Sequence, residues 1–189
     1  MEIYTPGGQV CLLIYESTFI LISHIEFLVD HLDAAFCESD ERRRFWMLKY
    51  CIKYHMHISK MAEGICSLHE TFTGHMAVIW AGCLGCVCNQ MLHSKLLGAL
   101  LYLLGYLFTC CCLVEAGQTL LNKSASLADK LYDIPWYLGA TKEQKCVMFM
   151  ITRAQVPMKL SATPFGNYDC GFFLKIIKTA YSYLTLLQR

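Results

Sequence analysis

The sequence predicts an all-α fold, a multi-span α-helical membrane protein with a long amphipathic cytoplasmic helix extension, from three observations. The run Leu96–Val114 has nineteen residues and no charged side chain, and such a helix covers most of a bilayer core of ~30 Å. Hydrophobic residues make up 56% of the chain and charged residues 16%, whereas a soluble domain usually has about 25% charged residues. The stretch from Ser39 to Asn89 lacks proline and begins with apolar residues that recur every three or four positions. The alternative, a central helix in a soluble bundle, needs a larger core than 189 residues readily build.

The pattern predicts five regions along the chain. They are a first membrane helix with a polar break (1–38), a long helix that is first cytoplasmic and then membrane-embedded (39–90), a membrane helix (91–117), a cytoplasmic loop that contains a further helix (118–169) and a last membrane helix (170–189). The first span runs from Val10 to Val29 and the polar break from Asp30 to Glu38. Ser39 is expected to cap the long helix, and Thr141 with Gln144 fits a capping box for the helix in the loop.

Basic residues predict the orientation of the spans, because they accumulate on the cytoplasmic side. Six of the sixteen Lys and Arg residues lie between the first and second predicted spans, and six more lie between the third and fourth. The short connection between the second and third spans holds only Lys95. Both long basic stretches should therefore be cytoplasmic and the C-terminus outside, so the glycosylation sequon at Asn122 should carry no glycan. Four spans also put the N-terminus outside, and we expect the sequence to be the C-terminal part of a longer protein.

Several function classes are excluded by what the sequence contains. The net charge of +1 gives no general attraction to nucleic acid. Cys83 and Cys86 have the spacing of half a zinc site, but no second pair follows and they lie in a predicted span. Four histidines along the long helix include no HExxH motif. We therefore expect no metal, no cofactor, no nucleic-acid partner and no enzyme activity.

The residues from Gly117 onward carry a resemblance to a known family. They are Gly117-Gln118, Leu127, Leu131-Tyr132, Trp136-Tyr137, Arg153-Ala-Gln155-x-Pro157, Leu160-x-Ala162, Phe165, and the ending from Phe173 through Lys178-Thr-Ala-Tyr181-Ser-Tyr183 to Leu187. In order and spacing they resemble the C-terminal region of insect odorant receptors. The resemblance implies seven spans in the whole protein, of which this chain holds spans four to seven.

What the resemblance implies about function is a subunit of an odorant-gated, non-selective cation channel in the plasma membrane of olfactory sensory neurons. Such subunits form heterotetramers with a shared co-receptor, their cytoplasmic helices form an anchor domain, and the last helix lines the pore. A small volatile odorant binds in the outer half of the bilayer. The expected ligand-binding residues are Tyr15, Phe19, Leu97, Leu101 and Tyr102. The expected pore-lining residues are Thr179, Tyr183 and Leu186, whose i, i+4, i+7 spacing puts them on one helix face.

Other interpretations stay open at this point. A truncated receptor fragment without a pocket of its own gives the same sequence pattern. A gustatory-type receptor of the same superfamily ends in a Thr-Tyr…Gln-Phe pattern, which Ser182-Tyr183 and Gln188-Arg189 match poorly. A small transporter bundle needs polar residues that converge in mid-membrane, and only Glu16, Lys175 and Lys178 qualify.

Overall fold

The long stretches without proline fold into long helices. A computed structural model of the chain describes residues 6–94 and 97–187. In this part of the chain the elements are α1 (Pro6–Cys37), α2 (Glu41–Ser94), α3 (Leu97–Asp133), a 3-10 turn (Trp136–Leu138), α4 (Thr141–Ala154), the short strands β1 (Ser161–Ala162) and β2 (Gly166–Asn167), and α5 (Cys170–Leu187). The two strands form an antiparallel hairpin in which Ala162 pairs with Gly166. At 1.5 Å per residue, the 54 residues of α2 extend over about 81 Å.

Three helices are long and apolar enough to cross a membrane. The segments are Gln9–Cys37, Phe72–Gln90 and Leu97–Asp133. The prediction of an all-α chain with membrane-capable helices is confirmed. The last helix, α5, has 18 residues and is not one of these three, so its role as a membrane span stays a prediction. Gln188 and Arg189, at the end of that predicted span, lie outside the described residues.

Two predicted boundaries differ from the structure because tertiary burial extends the helices. The polar break predicted from Asp30 is helical as far as Cys37, and within it Leu32 and Ala35 are buried. The membrane helix predicted to end at 117 continues to Asp133, since Leu120, Leu127 and Leu131 are buried in the same core. Apolar residues spaced by about one turn favour continuation even where the intervening side chains are charged.

The helix starts also differ in detail from the predicted caps. The N–H of Arg42 donates to the Asp40 carboxylate at 3.0 Å, so Asp40 rather than Ser39 caps α2. Helix α4 begins at Thr141 as predicted, but its cap residue is Ala140. The Ala140 N–H donates to Oε2 of Glu143 at 3.1 Å, which satisfies one of the free N–H groups of the first turn. The Gln144 amide instead donates to the Tyr137 and Gly139 carbonyls.

The chain divides into two compact units, and α1, α2 and α3 contribute to both. Unit 1 comprises residues 1–17, 66–118 and 160–189, and unit 2 comprises residues 18–65 and 119–159. The core of unit 1 is built around Trp80, Leu113 and Tyr168, together with Ile14 and Phe172. The core of unit 2 is a separate cluster that includes Leu21, Leu28, Leu48, Ile58, Leu120, Leu127, Val147 and Met150.

Candidate functional site

In unit 1 the segment before α5 is fixed to α2 by polar contacts. The Thr73 hydroxyl donates to the Ser161 carbonyl at 2.9 Å, and the Tyr168 hydroxyl donates to the Thr73 carbonyl at 3.1 Å. The Glu70 carboxylate accepts hydrogen bonds from the hydroxyls of Thr163 and Ser161. Burial raises the pKa of the Tyr168 phenol, so this group stays a protonated donor at neutral pH. The hairpin is thereby held against one face of α2.

Two glycines let this segment approach the helices more closely than any other residue would. A Cβ added at Gly74 of α2 would lie 2.0 Å from the Thr163 carbonyl oxygen, and one added at Gly117 of α3 would lie 2.2 Å from the Tyr168 carbonyl oxygen. Both distances are far shorter than van der Waals contact, and both neighbours are backbone atoms. Next to Gly117, the Gln118 side-chain oxygen accepts a hydrogen bond from the Cys170 N–H at 3.3 Å. The first residue of α5 is therefore positioned by α3.

Helix α5 packs against α2 through small residues. A Cβ added at Gly85 would lie 2.8 Å from the Tyr183 Cβ and 3.1 Å from the Ala180 carbonyl oxygen. One to two turns earlier on α2, Ala77 and Ala81 are buried. Small side chains at such contacts are typical of helices that pack within a membrane, where close backbone approach replaces the hydrophobic driving force.

A cleft of about 350 Å³ lies between α2 and α5. Its lining residues are Ala77, Val78 and Ala81 from α2, Phe165 from the hairpin turn, and Phe172, Lys175, Ile176, Thr179 and Tyr183 from α5. Two of the three residues predicted to line the pore, Thr179 and Tyr183, thus lie on this cleft. The third, Leu186, is 70% exposed near the end of α5. The structure keeps all three on one side of the helix, and their role in a pore stays a prediction.

The residues predicted to bind an odorant lie on two helices, Tyr15 and Phe19 one turn apart on α1 and Leu97, Leu101 and Tyr102 at the start of α3. Leu97, Leu101 and Tyr102 are 72%, 63% and 64% exposed at the start of α3. Tyr15 packs with the core of unit 1. The odorant pocket therefore stays a prediction, and the exposed residues at the start of α3 are its main support.

Unit 2 contains a buried ion pair. The Arg44 Nε donates to Oε1 of Glu143 at 3.1 Å, and the Glu143 side chain is only 4% exposed. The other carboxylate oxygen of Glu143 accepts the Ala140 N–H, so both oxygens are satisfied. A second pair, Lys123 with Glu26 at 2.6 Å, joins α3 to α1 at the surface of the unit. Burial lowers the pKa of His55 in the same unit, and the positive charge of Arg153 adds to this effect.

The sequence predicted the α5 stripe, which consists of Thr179, Tyr183 and Leu186, but not the contacts that position it. Gly117 and Gln118 were part of the resemblance, yet nothing in the sequence shows which backbone they contact. Thr73 and Gly74, a hydroxyl and a glycine at the start of an apolar helix stretch, were the available signal on α2. In the part of the chain that the structure describes, no group of three or more His, Cys, Asp or Glu residues is arranged to hold a metal ion.

The packing of unit 1 and the three membrane-capable helices define a helical membrane protein. The sequence profile of the 7tm Odorant receptor family matches residues 10–181. This chain belongs to the odorant receptor family, as its C-terminal motifs predicted.

Individual relatives agree with this assignment. The chain is 33% identical to Odorant receptor 22c of Drosophila melanogaster over 108 residues, which cover 54% of this chain and 26% of the relative. It is 26% identical to Odorant receptor Or2 of Anopheles gambiae over 153 residues, which cover 77% and 39% of the two chains. The chain thus spans less than half the length of these relatives.

A solved structure has the same fold. The insect olfactory receptor OR5 from Machilis hrabei, in complex with eugenol, superposes with a TM-score of 0.64 and 16% sequence identity. The match covers 87% of this chain and 45% of that receptor. The architecture of α1 to α5 is therefore that of an olfactory receptor.

Proposed function

We propose that this chain acts as the odorant-binding subunit of an odorant-gated cation channel in the plasma membrane, together with a shared co-receptor subunit. The family match over residues 10–181 is the observation that supports this proposal most strongly. A second support is that contacts with α2 and α3 set the position of α5. A helix fixed at its first residue by Gln118 and along its length by Gly85 is suited to transmit a displacement of α3 to the end of α5.

The ligand proposed is a small, mostly apolar volatile molecule. The first turns of α3 present Leu97, Leu101 and Tyr102 with most of their surface uncovered, and burial of such side chains by a ligand gives affinity without charge. The eugenol complex of OR5 supports this chemical class, since eugenol is a small aromatic molecule with a hydroxyl group. The Tyr102 phenol supplies one polar group that can orient such a ligand.

Replacing Tyr102 with alanine tests the ligand site. A complete receptor that contains this chain is expressed with the co-receptor, and currents are recorded across an odorant panel. We expect Tyr102→Ala to change the rank order of active odorants while surface expression stays unchanged. Phe108→Ala, at a similarly exposed aromatic on the same helix, is the matched control and should preserve the rank order. An unchanged rank order for Tyr102→Ala means that this residue contributes only to packing.

The pore proposal rests on the α5 stripe, in which Leu186 is the most exposed member. A hydrophobic side chain near the end of a pore helix can close a narrow conduit by dewetting. We expect Leu186→Cys to make the odorant-evoked current sensitive to a water-soluble thiol reagent added outside. Tyr181→Cys, which lies on the opposite face of α5 and is 67% exposed, should remain insensitive. If the thiol reagent leaves the current of both variants unchanged, the stripe does not line the permeation path.

A second candidate, which the sequence pattern leaves open, is a receptor product that binds no odorant. It predicts that the chain reaches the membrane and yields no odorant-evoked current with any co-receptor. An odorant-evoked current that Tyr102→Ala changes would support the channel subunit and exclude the product that binds no odorant.

We also propose that unit 2 lies in the cytoplasm and that unit 1 is the membrane-embedded part. Unit 2 holds twelve of the sixteen basic residues, which the positive-inside rule assigns to the cytoplasmic side. This placement differs from the first predicted span, Val10–Val29, because residues 18–29 belong to unit 2. The α1 residues of unit 1, 6–17, extend over about 18 Å, less than a bilayer core of ~30 Å. The exposed pair of Lys123 with Glu26 supports the aqueous assignment, because lipid-facing charges are costly.

A further inference from the structure

The burial pattern of α2 is interrupted near the point where the helix passes from unit 2 to unit 1. In unit 2 its buried side chains recur every three or four residues, at Leu48, Cys51, His55, Ile58 and Ala62. From Glu63 to Glu70 every residue is half-buried or exposed, and burial resumes at Thr73. Ile65 and His69 occupy positions that would continue the repeat, yet both are only half-buried. About 12 Å of helix is therefore held by little tertiary packing.

Gly64 lies in this segment, and packing does not account for it. A Cβ added at Gly64 would meet no atom of the described residues within 4 Å, so the space would accept an alanine. Within a helix glycine is less favourable than alanine, because its backbone loses more conformational entropy on folding. Gly74, ten residues later, does have a packing reason, since its added Cβ would lie 2.0 Å from the Thr163 carbonyl oxygen. Helix α2 thus has a helix-weakening residue where tertiary contacts hold it least.

Helix α2 is fixed on both sides of this segment. Before it, Ile58 and Ala62 are buried in the core of unit 2. After it, the Glu70 carboxylate accepts hydrogen bonds from the hairpin hydroxyls, and the Thr73 hydroxyl donates to the Ser161 carbonyl at 2.9 Å. Local opening of a helix costs least where few buried contacts are lost, and glycine is a common site of helix bending. A bend in α2 is therefore expected within residues 63–70.

The other two helices that contribute to both units differ from α2 in this respect. On α1 burial continues across the boundary through Ile14, Thr18 and Leu21, at intervals of one turn. On α3 it continues through Ala116 and Leu120. The weakly packed segment is thus a property of α2.

We propose that residues 63–70 form a hinge centred on Gly64, at which the membrane-capable part of α2 changes its direction. That part of α2 contacts α5 through Gly85, so bending at the hinge displaces a surface on which the proposed pore helix packs. This role in gating rests on the proposed function. The hinge itself is a property of α2 and is measured separately from any current.

Hydrogen–deuterium exchange of the whole chain in nanodiscs measures the hinge. Peptide mapping compares the backbone amides of residues 63–70 with those of residues 51–62 in the same helix. We expect the first group to exchange more than about tenfold faster, because opening there breaks few tertiary contacts. Gly64→Ala should slow the exchange of residues 63–70 about fivefold, as the helix propensities of glycine and alanine predict.

Gly82→Ala is the matched control for this variant. Gly82 lies in α2 and also has open space around an added Cβ, but Ala81 and Leu84 beside it are buried. The same chemical change is thus made in a well-packed part of the same helix. We expect Gly82→Ala to leave the exchange of residues 63–70 unchanged.

A double variant moves the flexible position by one turn. Leu68 is 78% exposed, so Leu68→Gly removes no buried side chain. Combined with Gly64→Ala, it should restore the fast exchange of residues 63–70. In a complete receptor that contains this chain, Gly64→Ala should shift the odorant concentration for half-maximal current about fivefold at unchanged surface expression. The double variant should return this concentration to the wild-type value, which a role of Gly64 in packing does not predict.

Three results would overturn the proposal. Equal exchange in residues 63–70 and 51–62 shows that the segment is held as firmly as the rest of α2. An equal effect of Gly64→Ala and Gly82→Ala on residues 63–70 shows general stabilisation of the helix rather than a hinge. Failure of the double variant to restore exchange shows that Gly64 does not act through flexibility.

The two readouts separate the hinge from its role in the channel. Slowed exchange in Gly64→Ala with an unchanged odorant response supports the hinge and excludes its role in gating. A wild-type receptor without any odorant-evoked current contradicts the proposed function, and the exchange measurements then decide the hinge by themselves.

Discussion

The two units of this chain share three helices but are stabilised in different ways. Unit 2 holds 22 charged residues among 89, the share found in soluble domains, whereas unit 1 holds nine among 100. Unit 2 joins its helices by ion pairs, and by a hydrogen bond between the Tyr54 hydroxyl and His24, around a leucine-rich core. Unit 1 joins its elements by hydrogen bonds from hydroxyls and by glycines at close backbone contacts.

The proposed placement of unit 2 in water and of unit 1 in lipid accounts for the difference. In water, burial of leucine side chains drives association, and charged residues on the other face keep the helix soluble. In lipid that drive is absent, so helices gain by close van der Waals contact, which needs small residues at the crossing points. Helices α2 and α3 change from one mode of packing to the other along their own length. The glycines at which an added Cβ would meet a backbone or Cβ atom of another element, Gly74, Gly85 and Gly117, belong to unit 1. In unit 2 an added Cβ meets nothing within 4 Å at Gly64, and at Gly139 it meets the nearby Glu143 side chain at 2.6 Å.

Surface labelling gives the largest expected effect and tests directly whether unit 1 faces lipid and unit 2 faces water. We expect a photoactivatable probe dissolved in the bilayer to label the exposed residues of unit 1, such as Leu101 and Phe108, more than tenfold over those of unit 2, because charged faces exclude lipid. A carbodiimide reagent in water should show the reverse preference and modify Glu63 and Asp129. The measurement is peptide mapping by mass spectrometry on the chain in nanodiscs. Strong bilayer labelling of Ile20 and Phe27 would instead establish Val10–Val29 as a membrane span.

The buried ion pair gives the next largest effect. Glu143→Ala leaves the Arg44 Nε and the Ala140 N–H without their acceptor, while the Arg44 guanidinium still donates to the Glu38 carbonyl. We expect a loss of about 3 kcal/mol in the free energy of unfolding, the lower end for buried pairs because Arg44 is 23% exposed. Denaturant titration in detergent, followed by circular dichroism, measures this.

Lys123→Ala is the matched control for this prediction. It removes an ion pair whose side chains are 47% and 53% exposed, and it should cost less than about 1 kcal/mol. Similar losses for the two variants would mean that burial of the Glu143 pair contributes nothing, and unit 2 would then resemble a simple leucine-rich bundle.

Substitution of Gly117 tests whether the close backbone contact on α3 stabilises unit 1. Gly117→Ala forces a Cβ toward the Tyr168 carbonyl oxygen, so we expect it to cost about 2 kcal/mol, as overpacking of a close contact usually does. Gly105→Ala on the same helix has open space around the added Cβ and should be neutral or stabilising by up to ~1 kcal/mol. Thermal unfolding in the same detergent compares the two. If both variants unfold at the wild-type temperature, the α3 contact does not hold the segment before α5.

Much of this architecture could be predicted from the sequence because it depends on local patterns. The uncharged run Leu96–Val114 determined a membrane-capable α3, and the absence of proline determined a very long α2. The separation of basic residues into two stretches matches the division into units, since those stretches fall in unit 2. The C-terminal motifs identified the family because they retain order and spacing over about seventy residues.

Only the tertiary structure decided how these helices continue and meet. Residues 30–37 and 118–133 are helical because their leucines reach a core made by other elements, a burial that no local charge pattern reveals. The pairing of Gly117 with Tyr168, or of Thr73 with Ser161, joins positions about fifty and ninety residues apart. Periodicity within one helix shows which residues share a face, as it did for Thr179, Tyr183 and Leu186. It does not show what that face contacts, because the partner surface is made by residues that are distant in the chain.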